Sequence, residues 1–181
     1  MKKIDFSEAR ALQYEMLKVI DRFCRENNIT YYMTYGTLLG AVRHQGFIPW
    51  DDDIDIMMPQ PDLDNFCSIF SSERYKVVSV ENDKSHGLVF PRLYDMNTYS
   101  LMGNIKTYGI GIDLYGIYGL PTSPFKHRDY INEFYRLWTI RGKLSGFRRH
   151  LAQNKLWPSK NLDFHLTLIP QHFDLTLFIS T

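Results

Sequence analysis

Apolar residues recur at three- and four-residue intervals between Ser7 and Asn27: Leu12, Met16, Leu17, Ile20, Phe23 and Cys24 fall on one helical stripe. Asn27-Asn28 ends that helix, while Ser7 and Arg10 do not make the box that would cap its start. Residues 30–35, TYYMTY, are β-branched and aromatic and predict a short strand. Gly36 interrupts; a short helix is expected from Thr37 to Val42, then a loop over 46–50 around Pro49. Residues 53–58, DIDIMM, alternate polar and apolar, as a strand with two unlike faces does. The turn at Pro59 and Pro61 leads to a helix over about 62–70, and 75–80 and 88–94 read as strands. Residues 109–118, GIGIDLYGIY, alternate around Asp113, and their glycines suggest close backbone approach or a twisted edge rather than an ordinary central strand. From Pro124 the chain turns helical, and the last twenty residues fit no element. These elements make an α/β (α+β) domain, a small mixed sheet flanked by helices, with a helical C-terminal part.

Composition adds bounds to this picture. At 181 residues with 44% hydrophobic and 23% charged residues, the chain is long enough for one proper core and unlike a disordered or fibrous chain. Cys24 and Cys67 form no disulfide framework or metal-ligand spacing, and each fits a small buried apolar position on a helix. The opening MKKIDFSEAR has two lysines without an apolar run behind them, and no stretch of about 18 apolar residues follows, so neither a secretory leader nor a membrane span is expected. A cytoplasmic location follows as an expectation, with peripheral contact at the inner membrane face left open.

The net charge of +1 conceals a polarity. Residues 1–120 carry 12 basic and 16 acidic residues, and residues 121–181 carry 9 and 4. Seven basic residues and no acidic one lie between Glu133 and Asp163: Arg136, Arg141, Lys143, Arg148, Arg149, Lys155 and Lys160. Two readings are open for that run: a solvated helix face, or a surface for an anionic glycan or lipid headgroup. No nucleic acid is expected, since no recognition motif accompanies the charge.

The acidic surplus is concentrated, with four carboxylates in residues 51–55. On a strand, Asp51, Asp53 and Asp55 share a face while Ile54 and Ile56 point to the core. Like charges spaced about 6–7 Å apart repel by roughly 2–3 kcal/mol per pair at an effective dielectric near 20. Hard cations with oxygen ligands, Mg²⁺ or Mn²⁺, answer that cost. Asp113, between Ile112 and Leu114, repeats the pattern, so Asp53, Asp55 and Asp113 are expected to form a three-carboxylate metal cage on neighbouring strands. A solvated acidic turn is the plainer reading; an EF-hand is excluded because its frame is missing. Tyr35-Gly36-Thr37 runs from strand into helix and aims free N–H groups at one point, as a phosphate site requires. A phosphate beside a metal cage is the arrangement for phosphoryl transfer. No G-x-S-x-G elbow and no P-loop lysine motif is present. His86 is either an active-site base or, more simply, a surface-loop histidine.

The block YGTLLGAVRHQGFIPWDDDIDIMMPQPDLDNF, residues 35–66, resembles the signature of the LicD family, which includes the fukutin-related phosphotransferases. Arg92-Leu93-Tyr94-Asp95, Thr98, Gly111-Ile112-Asp113-Leu114 and Leu120-Pro121 are similar to that family too, and the resemblance covers about residues 6–125. It implies a nucleotidyltransferase-like core over 1–125, with 126–181 as a basic helical region, shortened or altered relative to the longer family members. It also implies transfer of phosphocholine, or another phospho-alcohol, from CDP-choline or a related CDP-alcohol donor to a hydroxyl of a glycan or glycolipid acceptor, as in lipopolysaccharide or teichoic acid. On the matching positions, Gly36 and Thr37 correspond to the phosphate-contacting turn, and Asp53 and Asp55 to the metal-binding pair. Asp113 corresponds to the third carboxylate, the favoured acceptor of the hydroxyl proton. Arg43 could hold donor phosphates bidentately, or with His44 could cap the short helix at its C-terminal end. Tyr35 departs from the Gly-Gly or Gly-Ser pair common in the family. The alternatives are a nucleotidyltransferase releasing pyrophosphate and a truncated, non-catalytic metal-binding member.

Overall fold

A computed structural model of the chain describes residues 3–83, 86–102 and 105–119, with 123, 126–129, 131–133, 135–136 and 139–140 beyond them. Helix α1 spans Phe6–Glu26. It begins one residue before the expected start because Asp5, not Ser7, is the N-cap: its carboxylate accepts from the Glu8 N–H at 2.8 Å while the Glu8 side chain reaches back to the Asp5 N–H. The helix ends where Asn28 turns left-handed (φ 55°) and Ile29 N–H donates to the Cys24 carbonyl at 2.9 Å. Strand β1 is only Tyr32–Met33, and α2 spans Tyr35–His44. Strand β2, Asp55–Pro59, is followed directly by α3, Gln60–Ile69, whose proline sits in its first turn. Strands β3 (Tyr75–Val78), β4 (Arg92–Asp95), β5 (Tyr99–Met102), β6 (Ile105–Tyr108) and β7 (Gly111–Ile117) complete the described strands.

The main sheet has the order β1-β2-β7-β4-β3. The β2 and β7 strands pair parallel and the remaining neighbours antiparallel, so the sheet is mixed. The glycine-rich segment is therefore the centre of the sheet and not an edge. Its glycines serve close approach: a Cβ at Gly111 would stand 2.8 Å from Arg92 Nε and from the Leu93 carbonyl, and one at Gly116 would collide with Gln60. The separate β5-β6 hairpin is not among the elements expected from the sequence, although Gly103-Asn104 between its strands is a hairpin-type dipeptide.

One sheet face is apolar. Ile56, Met58, Leu93, Ile112 and Leu114 pack against Met16, Ile20 and Cys24 of α1 and Leu63 and Phe66 of α3 in one buried cluster. Phe66 meets Phe23 edge-on at 5.5 Å and stacks on Phe70 at 4.9 Å. Cys24 is buried here, and loss of water raises its thiol pKa to about 12, so it is an inert apolar contact. The alternate residues, Asp55, Met57, Arg92, Tyr94, Asp113 and Tyr115, share the opposite face. Helical residues resume at 126–129 and 131–133, as expected. The basic run from Arg141 to Lys160 lies outside the described residues.

Candidate metal centre

Strand register brings two of the three expected carboxylates together. Asp55 on β2 lies directly opposite Asp113 on β7, and Asp113 lies directly opposite Arg92 on β4. Cross-strand partners point to the same face, so the three side chains form one row across adjacent strands. Arg92 Nε lies 2.7 Å from Asp113 Oδ1, an ion pair whose N–H is not aligned for a hydrogen bond, and Nη2 reaches toward the Gly111 carbonyl at 3.5 Å. Asp55 and Asp113 are 8% exposed, and neither Oδ1 accepts a hydrogen bond. Asp55 Oδ1 is buried without a donor and Asp113 Oδ1 faces the Arg92 cation, a pair of carboxylate oxygens that fits a hard divalent cation.

Asp53 stands beside the row rather than in it, and its charge raises the Asp55 and Asp113 carboxyls. The close triple among the described residues is Asp51, Asp52 and Asp53, not the expected Asp53, Asp55 and Asp113. Residues 51–54 are not paired as strand; β2 starts at Asp55. The preceding backbone is engaged by α1. Arg10 Nη2 donates to the carbonyls of Ile48 and Asp51, both at 2.5 Å, and Gln13 Nε2 donates to the carbonyl of Asp52 at 3.0 Å. With its carbonyls turned to α1, the segment makes a loop in which oxygens of Asp51, Asp52 and Asp53 lie within 4.8 Å of one another. Asp51 and Asp52 thus join the acidic centre, although the sequence reading did not assign them as ligands.

The electrostatics follow from burial and crowding. Burial first, then Asp53, Asp113 and Asp51, pushes the Asp55 carboxyl up to about 7, with Arg92 opposing. Asp113 is raised by burial and pulled back by Arg92; Asp53 is raised by burial, then by Asp51 and Asp52. Tyr115 Oη contacts Asp113 Oδ2 at 3.4 Å, and its own pKa is raised by burial and by Asp113.

The α2 helix braces this centre. Thr37 Oγ1 accepts the Asp55 backbone N–H at 2.8 Å, and Thr34 N–H donates to the Asp55 carbonyl at 3.1 Å. A Cβ on Gly36 would collide with the Asp51 carboxylate, so Gly36 makes room for the acidic loop. Tyr35 adopts φ 46°, a strained conformation for an aromatic residue, and its ring meets Tyr115 edge-on at 5.5 Å. Arg43 is not brought into the cluster. It lies seven residues past Gly36, about 10 Å along the helix, with Nε on His44 Nδ1 at 3.3 Å. His86 is not a surface-loop residue: it is 7% exposed, with Nε2 2.9 Å from the Phe90 carbonyl and its ring edge-on to Tyr94.

Residues 28–164 match the pattern described as LicD/FKTN/FKRP, nucleotidyltransferase domain. The chain belongs to the LicD family. The matched LicD stretch holds every member of the carboxylate row and continues past residue 125, where the motif resemblance stops, into the basic segment. Helix α1, which supplies Arg10 and Gln13, precedes it. Among curated relatives, the lipopolysaccharide cholinephosphotransferase LicD of Haemophilus influenzae is 27% identical over 128 residues, covering 68% of this chain and 48% of that protein. An uncharacterised protein of Rickettsia typhi is 36% identical over 97 residues, 53% of this chain and 31% of its own. Mannosyltransferase regulator 4 of Saccharomyces cerevisiae is 27% identical over 138 residues, 72% of this chain and 11% of that protein. The chain spans about half the length of the first of these relatives and less of the others. No solved structure matches.

Proposed function

We propose that this chain is the core of a metal-dependent phosphotransferase that moves phosphocholine, or a related phospho-alcohol, from a CDP-linked donor to a hydroxyl of a cell-surface glycan. The observation that carries the reading is the Asp55–Asp113 pair, side by side on adjacent strands, with Asp55 Oδ1 buried and without a hydrogen-bond donor. The cholinephosphotransferase among its relatives supplies the group transferred.

Asp53, Asp55 and Asp113 would hold Mg²⁺ or Mn²⁺, with Asp51 and Asp52 close enough to adjust the loop. When bound, the ion neutralises charge on the donor diphosphate and polarises the phosphorus under attack. Thr37 fixes the start of β2 through the Asp55 N–H, which keeps the carboxylate spacing constant as the donor enters. Gly36 and Thr37 are the proposed phosphate contacts at the positive end of α2, after the Asp51 carboxylate over Gly36 moves aside. The acceptor hydroxyl attacks the distal phosphorus in line, Asp113 takes its proton, and CMP leaves. Arg43, at the far end of α2, serves donor binding only through a part of the donor extending past that helix.

A donor panel of CDP-choline, CDP-ribitol, CDP-glycerol and a nucleotide sugar, with glycan acceptors and product mass as the readout, tests this. CMP with a phospho-alcohol on the acceptor is expected. Pyrophosphate instead assigns a nucleotidyltransferase. No turnover of any donor, with Mn²⁺ still bound, assigns a non-catalytic family member.

A further inference from the structure

Arg92 is the residue at the centre whose role the proposed chemistry leaves unused. It is the end of the Asp55–Asp113–Arg92 row, set by register on three adjacent strands. Its side chain is 25% exposed and its Nε lies 2.7 Å from the same Asp113 oxygen that lacks a hydrogen-bond donor. The space it occupies is made for it: at Gly111 any side chain would meet Nε. Its guanidinium also lies over the Tyr94 ring, 5.5 Å from the centroid, which holds the planar group against the sheet.

We infer that Arg92 is a positioning residue, a resident counter-cation that holds Asp113 in the metal-free protein and competes with the divalent ion for that carboxylate. The inference rests on the proposed metal site and concerns how tightly it loads. A divalent ion at Asp55 and Asp113 meets a fixed positive charge beside one of its ligands. Metal entry must therefore weaken the Arg92–Asp113 pair, and that loss is subtracted from the binding free energy. The guanidinium so loosened stays at the mouth of the row, where an anionic donor would arrive. By reciprocity, whatever strengthens the pair weakens the metal, and whatever removes it does the opposite.

The test is Mn²⁺ titration by calorimetry at pH 8, with thermal unfolding in EDTA and in saturating Mn²⁺, for the full chain and for Arg92→Gln and Arg92→Lys. Arg92→Gln should bind Mn²⁺ about ten-fold more tightly than the unsubstituted chain. In EDTA its Tm should fall by about 5 °C or more, because the carboxylates lose their cation, and saturating Mn²⁺ should close that gap. Arg92→Lys keeps the charge without the planar fork, so its affinity should fall between the two. A merely structural role predicts weaker metal binding in both variants; unchanged or weaker affinity overturns the inference while leaving the metal site intact. If the unsubstituted chain binds no Mn²⁺ and Asp53→Asn changes nothing, the metal reading fails first and this one with it. If Arg92→Gln does not fold, Arg92→Lys decides alone, and no gain in its affinity is the overturning result.

Discussion

At the scale of single residues, Asp55 carries the sharpest consequence. Its carboxyl titrates near 7 in the folded chain against an ordinary value of 3.8, so between about pH 4 and pH 7 the folded state holds a proton that the unfolded state has lost. The sign follows: this group's contribution makes the metal-free protein less stable as pH rises through that window. Thermal unfolding in EDTA at pH 5 and pH 8 should show the decline, and Asp55→Asn should flatten it. An unchanged slope in that variant would locate the effect elsewhere. Mn²⁺ affinity should rise over the same range, since the proposed ligand is the deprotonated form of Asp55. Gly36 and Thr37 are equally specific. Gly36→Ala puts a methyl where the Asp51 carboxylate lies, so that side chain must turn away; Mn²⁺ binding should weaken with little change in stability. Thr37→Val leaves the Asp55 N–H without its acceptor and should cost about 1–3 kcal/mol. Thr37→Ser retains the hydroxyl and should be close to neutral by denaturant titration.

Among the elements, α1 combines two functions that its amphipathic stripe alone does not reveal. Its apolar face builds the core, while Arg10 and Gln13 reach across to the carbonyls of the acidic loop. The guanidinium of Arg10 is itself held over Phe6, 4.1 Å from the ring centroid, with Phe47 on its other contact at 5.2 Å. Arg10→Ala should leave the helical circular-dichroism signal in place but weaken Mn²⁺ binding, because the loop carrying Asp51, Asp52 and Asp53 loses its anchor. Equal affinity in that variant would show that the loop holds its shape unaided. The capping box at the start of α1 is a local feature, and Asp5→Ala should cost about 1 kcal/mol, a fall of about 2–4 °C in Tm. The β7 strand shows the opposite balance between local pattern and tertiary context. Its glycines read as close approach or an edge; the strand is central and close approach is the outcome, because the space they leave is filled by Arg92 on one face and Gln60 on the other.

Over the whole molecule, the acidic side of the charge polarity has a structural counterpart among the described residues. Asp55 and Asp113 share one sheet face, with the acidic loop of Asp51, Asp52 and Asp53 leading into it, and a cation there should stabilise the entire fold by linkage. Mn²⁺ at a hundred times its Kd should add about 2.7 kcal/mol, a rise of roughly 5–10 °C in Tm. Asp53→Asn should abolish most of that rise, and an undiminished rise would remove Asp53 from the ligand set. No described helix is long and apolar enough to cross a membrane. The sequence alone determined the α/β class, the long first helix, the apolar alternation of β2 and β7 and the placing of Asp55 and Asp113 on the sides of their strands opposite the apolar neighbours. Each of these depends on periodicity or on residue type within a short window, which the chain states directly. Only the tertiary structure decided that Asp55, Asp113 and Arg92 share a row, that Asp53 sits on a loop with Asp51 and Asp52, and that Arg43 stands apart at the far end of α2. Those relations depend on strand order and register, and on side chains nearly forty residues away capturing backbone carbonyls, which no local pattern encodes.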